Sequence, residues 1–309
     1  MLEYIGRRVL LLIPVLIGVS LIIFISIHLV PGDPAEAMAG EFADEEYVAE
    51  IRRIYGLDKP LHIQYIKYMK RVFQGDLGKS ILSDLPVLDE VTRRFANTLR
   101  LAFWASLLAA IVGLGAGVIS ATHPYSKFDY LSMTGALMGV SMPSFWLGLL
   151  LMGAFSVHFR WLPAGGSGTT MHLIMPVVTL GLTGAGIIAR MTRSTMLEII
   201  NSEYVTTAHS KGLSVPKVNY VHALKNALLP VITVVGLQSG YLLGGSVITE
   251  SVFAWPGLGR YIVEAIKLCD YAAVQGSLLF FALTFAFINL LVDLLYAVLN
   301  PRVRYENSK

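Results

Sequence analysis

Long apolar runs recur along this chain, and they leave it very few folds. A helix crossing a bilayer core of about 30 Å needs about 20 apolar residues. Six runs meet that length: Val9 to Val30, Leu99 to Thr122, Tyr130 to Phe159, Met171 to Arg190, Ala227 to Thr249 and Ala273 to Leu299. In hydrocarbon every backbone N–H and C=O needs an internal partner, so such runs are expected as helices. The expected fold class is an all-α polytopic membrane protein with six transmembrane helices. Composition agrees: 55% of the 309 residues are hydrophobic and 15% are charged, against about 25% charged in soluble domains. A cytosolic enzyme or a disordered tail is excluded. The net charge of +3 implies no polyanionic partner, hence no nucleic acid. The single cysteine, Cys269, excludes an internal disulfide framework and a multi-thiolate metal site.

The first run follows Arg7 and Arg8, as a signal peptide would. Its apolar stretch exceeds the roughly 7–15 residues of a signal core, and Pro31-Gly32 separates it from the Ala37-Met38-Ala39 triplet. It is read as an uncleaved span. Basic residues near span ends mark the cytoplasmic side. One side collects Arg7, Arg8, Lys127, Arg190, Arg193, Lys211, Lys217, Lys225, Arg302, Arg304 and Lys309, while the short loops opposite hold Arg160, Arg260 and Lys267. Six spans then place both termini in the cytoplasm.

The chain divides into residues 1–30 (N-terminus and first span), 31–98 (an extracytoplasmic helical insertion) and 99–309 (the remaining spans). Within the insertion Asp44 is placed to cap a helix that carries Val48, Ile51, Ile54 and Tyr55 and stops at Gly56. A second helix begins near Pro60 with Tyr65, Ile66, Met69, Val72 and Phe73 as its stripe and ends at Gly75. A third starts near Pro86 with Val87, Val91 and Phe95. These helices serve either as a lid packed on the spans or as a docking surface. On the other side, residues 191–226 form the long inner loop. Ser202 is placed to cap a short helix from Glu203 to Lys211 that Gly212 breaks, and Ser214 and Pro216 open the next helix. Thr207, Ala208 and Gly212 give the short helix a face of small residues that fits a groove on another surface.

Several motifs fail their tests. Gly78-Lys79-Ser80 ends like a phosphate-binding loop, but its first glycine would fall at Phe73 and it lies on the outer side. No H-E-x-x-H zinc pair is present, and Ser246 has no histidine on the sixth span to activate it. No catalytic, cofactor-binding or metal residue is assigned. Gly236, Gly240 and Gly244 recur every four residues, as close helix packing requires. Asp293 lies near the inner end of the sixth span, where Arg190 or Arg193 is placed to pair with it, and Glu250 lies at the outer end of the fifth as an interfacial or gate residue.

The segment Glu203-Tyr204-Val-Thr-Thr207-Ala208-His-Ser-Lys211-Gly212-Leu, with His222-Ala-Leu-Lys-Asn-Ala-Leu-Leu-Pro230 after it, resembles the cytoplasmic EAA loop of ABC importer permeases. More narrowly, the chain resembles the first permease of dipeptide, oligopeptide, glutathione and nickel importers. The resemblance extends through Pro31-Gly-Asp-Pro34, Tyr55-Gly-Leu-Asp-Lys-Pro-Leu61, Gly75-Asp-Leu-Gly78, Trp161-Leu-Pro163, Arg190-Met-Thr-Arg-Ser194, Gly244-Gly-Ser246, Trp255-Pro-Gly-Leu-Gly-Arg260 and Asn300-Pro-Arg302. Thr206 departs from the general motif, which has glutamate there, and His209 and Ser210 also differ. The resemblance implies a conduit rather than an enzyme. Its implied partners are a second permease, two ATP-binding cassette subunits that carry ATP and Mg, and an extracytoplasmic substrate-binding protein. It also implies coupling through Glu203, Tyr204, Thr207, Ala208, Lys211 and Gly212. A nickel importer of the same family, and a secondary transporter working alone, are the alternatives.

Overall fold

The computed structural model describes residues 2–29, 34–39, 43–81 and 83–299. The Pro31–Asp33 and Asn300–Arg302 segments lie outside the described residues, as does the side chain of Asp293. The described residues are helical almost throughout, apart from one isolated bridge between Lys79 and Pro86. In chain order the helices are α1 (Leu2–Leu29), α2 (Pro34–Ala39), α3 (Glu45–Tyr55), α4 (Leu61–Phe73), α5 (Val87–Thr122), α6 (Lys127–Ser141) and α7 (Ser144–Met152). They continue as α8 (Met171–Ile200), α9 (Glu203–Ser210), α10 (Val215–Lys217), α11 (Leu224–Val252), α12 (Leu258–Lys267) and α13 (Tyr271–Leu299). Wider π-helical turns extend α7 over Gly153–His158 and join α10 to α11 over Val218–Ala223.

Four segments are each long and apolar enough to cross a membrane: Val87–Thr122, Met171–Ile200, Val215–Val252 and Tyr271–Val292. Helices α6 and α7 meet that test only together and are bent by 104° where they join. The expected third span is therefore broken. Met142 is extended (ψ 131°) ahead of Pro143, as the ring of a following proline demands. A shorter apolar stretch, Leu10–Ser26, lies in α1. The helix expected from Pro86 and the second span are one helix, α5, because no glycine or proline interrupts residues 87–112.

The chain forms two compact units. One comprises residues 1–97 and 257–290. There α4 packs on α1 and α13: Tyr68 lies with Phe24 of α1 and Leu279 of α13, and Tyr65 shares a 2.8 Å hydrogen bond with Ser20. Burial pushes the Tyr68 phenol above its ordinary pKa, so it stays a neutral hydroxyl. Val87 and Val91 pack on α12 through Leu258, Tyr261 and Ile262, an amphipathic helix that the six-run reading did not anticipate. Ser80 donates to the buried Asp270 carboxylate (2.5 Å), whose other oxygen caps α13 through Ala273 N (3.0 Å). The expected caps of α3 are present: Asp44 accepts from Tyr47 N at 2.8 Å, and Gly56 closes the helix at φ 69°.

The other unit comprises residues 98–256 and 291–309. Its core is layered along α5, α8 and α11. Leu101, Ala105, Leu173, Leu180 and Leu242 form one layer, and Ala109, Ala185, Ile188 and Val231 the next. Ala121, Met196, Ala223 and Ala227 form the last. Residue numbers rise together on α5 and α8 and fall on α11, so α5 and α8 run the same way and α11 opposes them. Lipid gives no hydrophobic drive to such packing, so close backbone approach has to supply it. A Cβ on Gly113 would stand 2.7 Å from the Ala185 carbonyl oxygen, and one on Gly186 would stand 2.3 Å from that of Ala136.

Candidate functional site

The residues expected to matter lie in the second unit, mostly around the end of α8 and the loop after it. Helix α8 continues ten residues past Arg190, the expected end of the fourth span, to Ile200. Ser202 takes the N-cap place of α9, but its hydroxyl turns back to Ile199 O (2.6 Å) and makes no cap. The helix is fixed from beneath by Val205, which is 1% exposed, and from the side by Asn226, whose amide donates to Tyr204 Oη at 2.9 Å. Glu203, Thr206, Thr207, His209 and Lys211 are exposed, and Ala208 is half-buried. Gly212 then reverses the chain at φ 79°, in the left-handed region that favours glycine. Ser214 leads into α10 with Pro216 in its first turn, as the sequence suggests. The outcome is a short helix braced on one side and open to solvent on the other.

Arg193 does not wait for Asp293. Its guanidinium forks onto Asp129 at the start of α6, Nε to Oδ1 at 3.0 Å and Nη2 to Oδ2 at 2.9 Å. Asp129 is 4% exposed, and its oxygens also accept from Ser120 Oγ and from Tyr125 N (2.9 Å). The carboxylate thus pins together the end of α5, the turn after it, α6 and α8. Sequence reasoning missed Asp129. The available signal is Ser126-x-x-Asp129 at a helix start, the spacing of a capping box, and Ser126 does receive Asp129 N at 3.3 Å. Arg190 points to the surface.

Glu250 is fully buried and accepts from Thr98 Oγ1 at 2.7 Å, linking the start of the spanning part of α5 to the far end of α11. That is a tie in the interior of the unit. Of the three glycines on α11, Gly236 packs against Val292, where a Cβ would stand 2.9 Å from a methyl carbon. Gly240 is buried, and Gly244 faces open space.

Two family models match the chain. "Binding-prot-dependent transport system membrane comp, N-term" matches residues 1–102, and "Binding-protein-dependent transport system inner membrane component" matches residues 111–305. The chain belongs to this family of ABC importer permeases. Among curated relatives, the dipeptide transport system permease protein DppB of Alkalihalophilus pseudofirmus is 46% identical over 99% of this chain and 100% of its own. The glutathione transport system permease protein GsiC of Escherichia coli strain K12 is 44% identical over the same shares. Among solved structures, a chain of the MetNI methionine ABC transporter in an inward-facing conformation superposes with a TM-score of 0.58 at 20% identity, covering 68% of this permease and 96% of that chain. That likeness bears on the fold alone.

Proposed function

We propose that this permease is the first membrane subunit of an ATP-driven importer of di- or oligopeptides, or of a related solute such as glutathione. The observation that carries the proposal is end-to-end identity of 44–46% with permeases named for dipeptide and glutathione transport. On this reading the chain crosses the inner membrane six times. Four crossings are the long apolar segments, the fifth is the α6–α7 pair and the sixth is α1. Both termini and α9 face the cytoplasm, where basic residues concentrate at span ends. Residues 31–98 face outward and contribute to the surface that meets a substrate-binding protein. A second permease completes the conduit, and two ATPase subunits bind ATP and Mg below it.

Helix α9 is the proposed coupling element. Its exposed residues, Glu203, Thr207, Lys211 and Gly212 with half-buried Ala208 among them, seat in a groove of an ATPase subunit. Buried Val205 and exposed Tyr204, whose hydroxyl accepts from Asn226, transmit movement to α11. To test the proposal, the chain is tagged, extracted gently from native membranes, and its companions are identified. Recovery of a second polytopic permease with ATP-binding cassette subunits is the expected result. A monodisperse chain recovered alone would overturn the coupling proposal and favour a transporter that works by itself.

A further inference from the structure

Midway along the second unit the broken helix leaves a cavity of about 510 Å³, within the range of about 300–1,000 Å³ usual for small-molecule sites. It lies between the α6–α7 break (Met142, Pro143, Ser144) and the middles of α8 and α11. No charged side chain lines it. Gln238, the central residue of α11, does line it and is 9% exposed. Its side-chain amide makes no hydrogen bond among the described residues. An amide held at mid-span without a partner is costly unless something fills its donor and acceptor sites. The break supplies complementary groups. Helix α7 opens at Ser144, a cavity-lining residue, behind Pro143 with no side-chain cap; the Trp146 and Leu147 N–H groups bond the Pro143 carbonyl (3.0 and 3.1 Å), so the positive end of the helix dipole at Ser144 borders the cavity. Half-helices of this kind receive anionic substrate groups in other transport folds.

We infer that this cavity is a substrate subsite for the carboxyl-terminal end of a short peptide. The terminal carboxylate lies against the α7 N-terminus, and the last peptide amide is held by Gln238. The inference rests on the peptide reading above and adds the chemistry of recognition. The absence of charged side chains suits it: backbone groups common to all short peptides are read, and side-chain identity is not.

The test uses the whole transporter in membranes. Cys269→Ala removes the native thiol, and Gly245→Cys places a reporter at the cavity wall, where a Cβ meets no atom within 4 Å. Labelling by N-ethylmaleimide is followed with L-alanyl-L-alanine, its C-terminal amide L-alanyl-L-alaninamide, or S-methylglutathione. If the inference holds, the free dipeptide or S-methylglutathione slows labelling and the amide protects far less. Adding Gln238→Leu then raises the half-protecting concentration about tenfold, the loss expected for an amide's hydrogen bonding. Ile248→Cys at the cavity rim is the second reporter should Gly245→Cys fail to assemble. Labelling unchanged by a peptide that the same cells import would overturn the subsite and leave the importer reading intact. A reporter shielded in the assembled complex with or without peptide would also overturn it, because a neighbouring subunit then fills the cavity. If the unmodified transporter imports neither peptide nor S-methylglutathione, the peptide reading falls and this inference with it.

Discussion

Asp129 receives a serine hydroxyl, a backbone N–H and both arms of Arg193. Because its acceptors are filled in a nearly dry setting, removing one partner strands the other. Breaking such pairs costs about 3–5 kcal/mol, and the partial exposure of Arg193 places this one near the lower end. Asp129→Asn should lower the melting temperature of the purified complex. Arg193→Lys should lower it too, because an ammonium cannot reproduce the two-pronged geometry. The double substitution Asp129→Asn with Arg193→Gln should cost less than the sum of Asp129→Asn and Arg193→Gln made singly, and a strictly additive result would show that the two side chains do not act as a pair. At Glu250 the same reasoning applies to Thr98. Thr98→Val should destabilise without altering the apolar packing around it, measured by the same melts.

Among the elements, α9 and α8 make different demands. On α9 the half-buried Ala208 faces the proposed groove, so Ala208→Glu should leave the complex assembled and ATP hydrolysis running while uptake falls at least about tenfold. Normal uptake by that variant would remove the groove from the account. On α8 the demand is steric: the Cβ that Gly186→Val adds would stand 2.3 Å from the Ala136 carbonyl oxygen and 2.3 Å from a Val140 methyl carbon. It should abolish the monodisperse peak of the detergent-extracted chain, since overpacked cores lose stability by about 1–3 kcal/mol or more. Much of this was legible in the sequence. The apolar runs, Asp44, Gly56 and Gly212 announce their helices and stops through chemistry that is local. What was not legible is long-range. Gly236, Gly240 and Gly244 drew attention as a repeat, yet approaches tighter than that of Gly236 belong to Gly113, Gly117, Gly139, Gly165 and Gly186, facing neighbours far away in the chain. Gly113 and Gly117 carry the same four-residue spacing, so pattern alone could not rank the two sets. Arg193 likewise was matched to Asp293 from span position, and only the return of α6 beside α8 reveals Asp129 as its partner. Helix α12 was hidden because its apolar face is short and the run-length test ignores it.

At the scale of the whole molecule, orientation is the property to test. In a Cys269→Ala background, Asp58→Cys in the insertion should react with a membrane-impermeant maleimide in intact cells. Lys211→Cys at the end of α9 should react only after the membrane is opened. The reverse pattern would invert the proposed orientation. The bend between α6 and α7 then acquires a meaning beyond local geometry, which is one of parity. A bent pair of helices either passes through a layer or dips in and comes back out, and the two options change the number of crossings from even to odd. The core layers support the first option on the proposed reading. Leu101 shares a layer with Leu173 and Ala121 shares one with Met196, so the chain leaves α5 at one end and must re-enter α8 at the other. The pair between them has carried it the full distance. On the proposed six-crossing reading the kinked pair therefore counts once, and a reporter fused to either end of the protein should find itself in the same compartment.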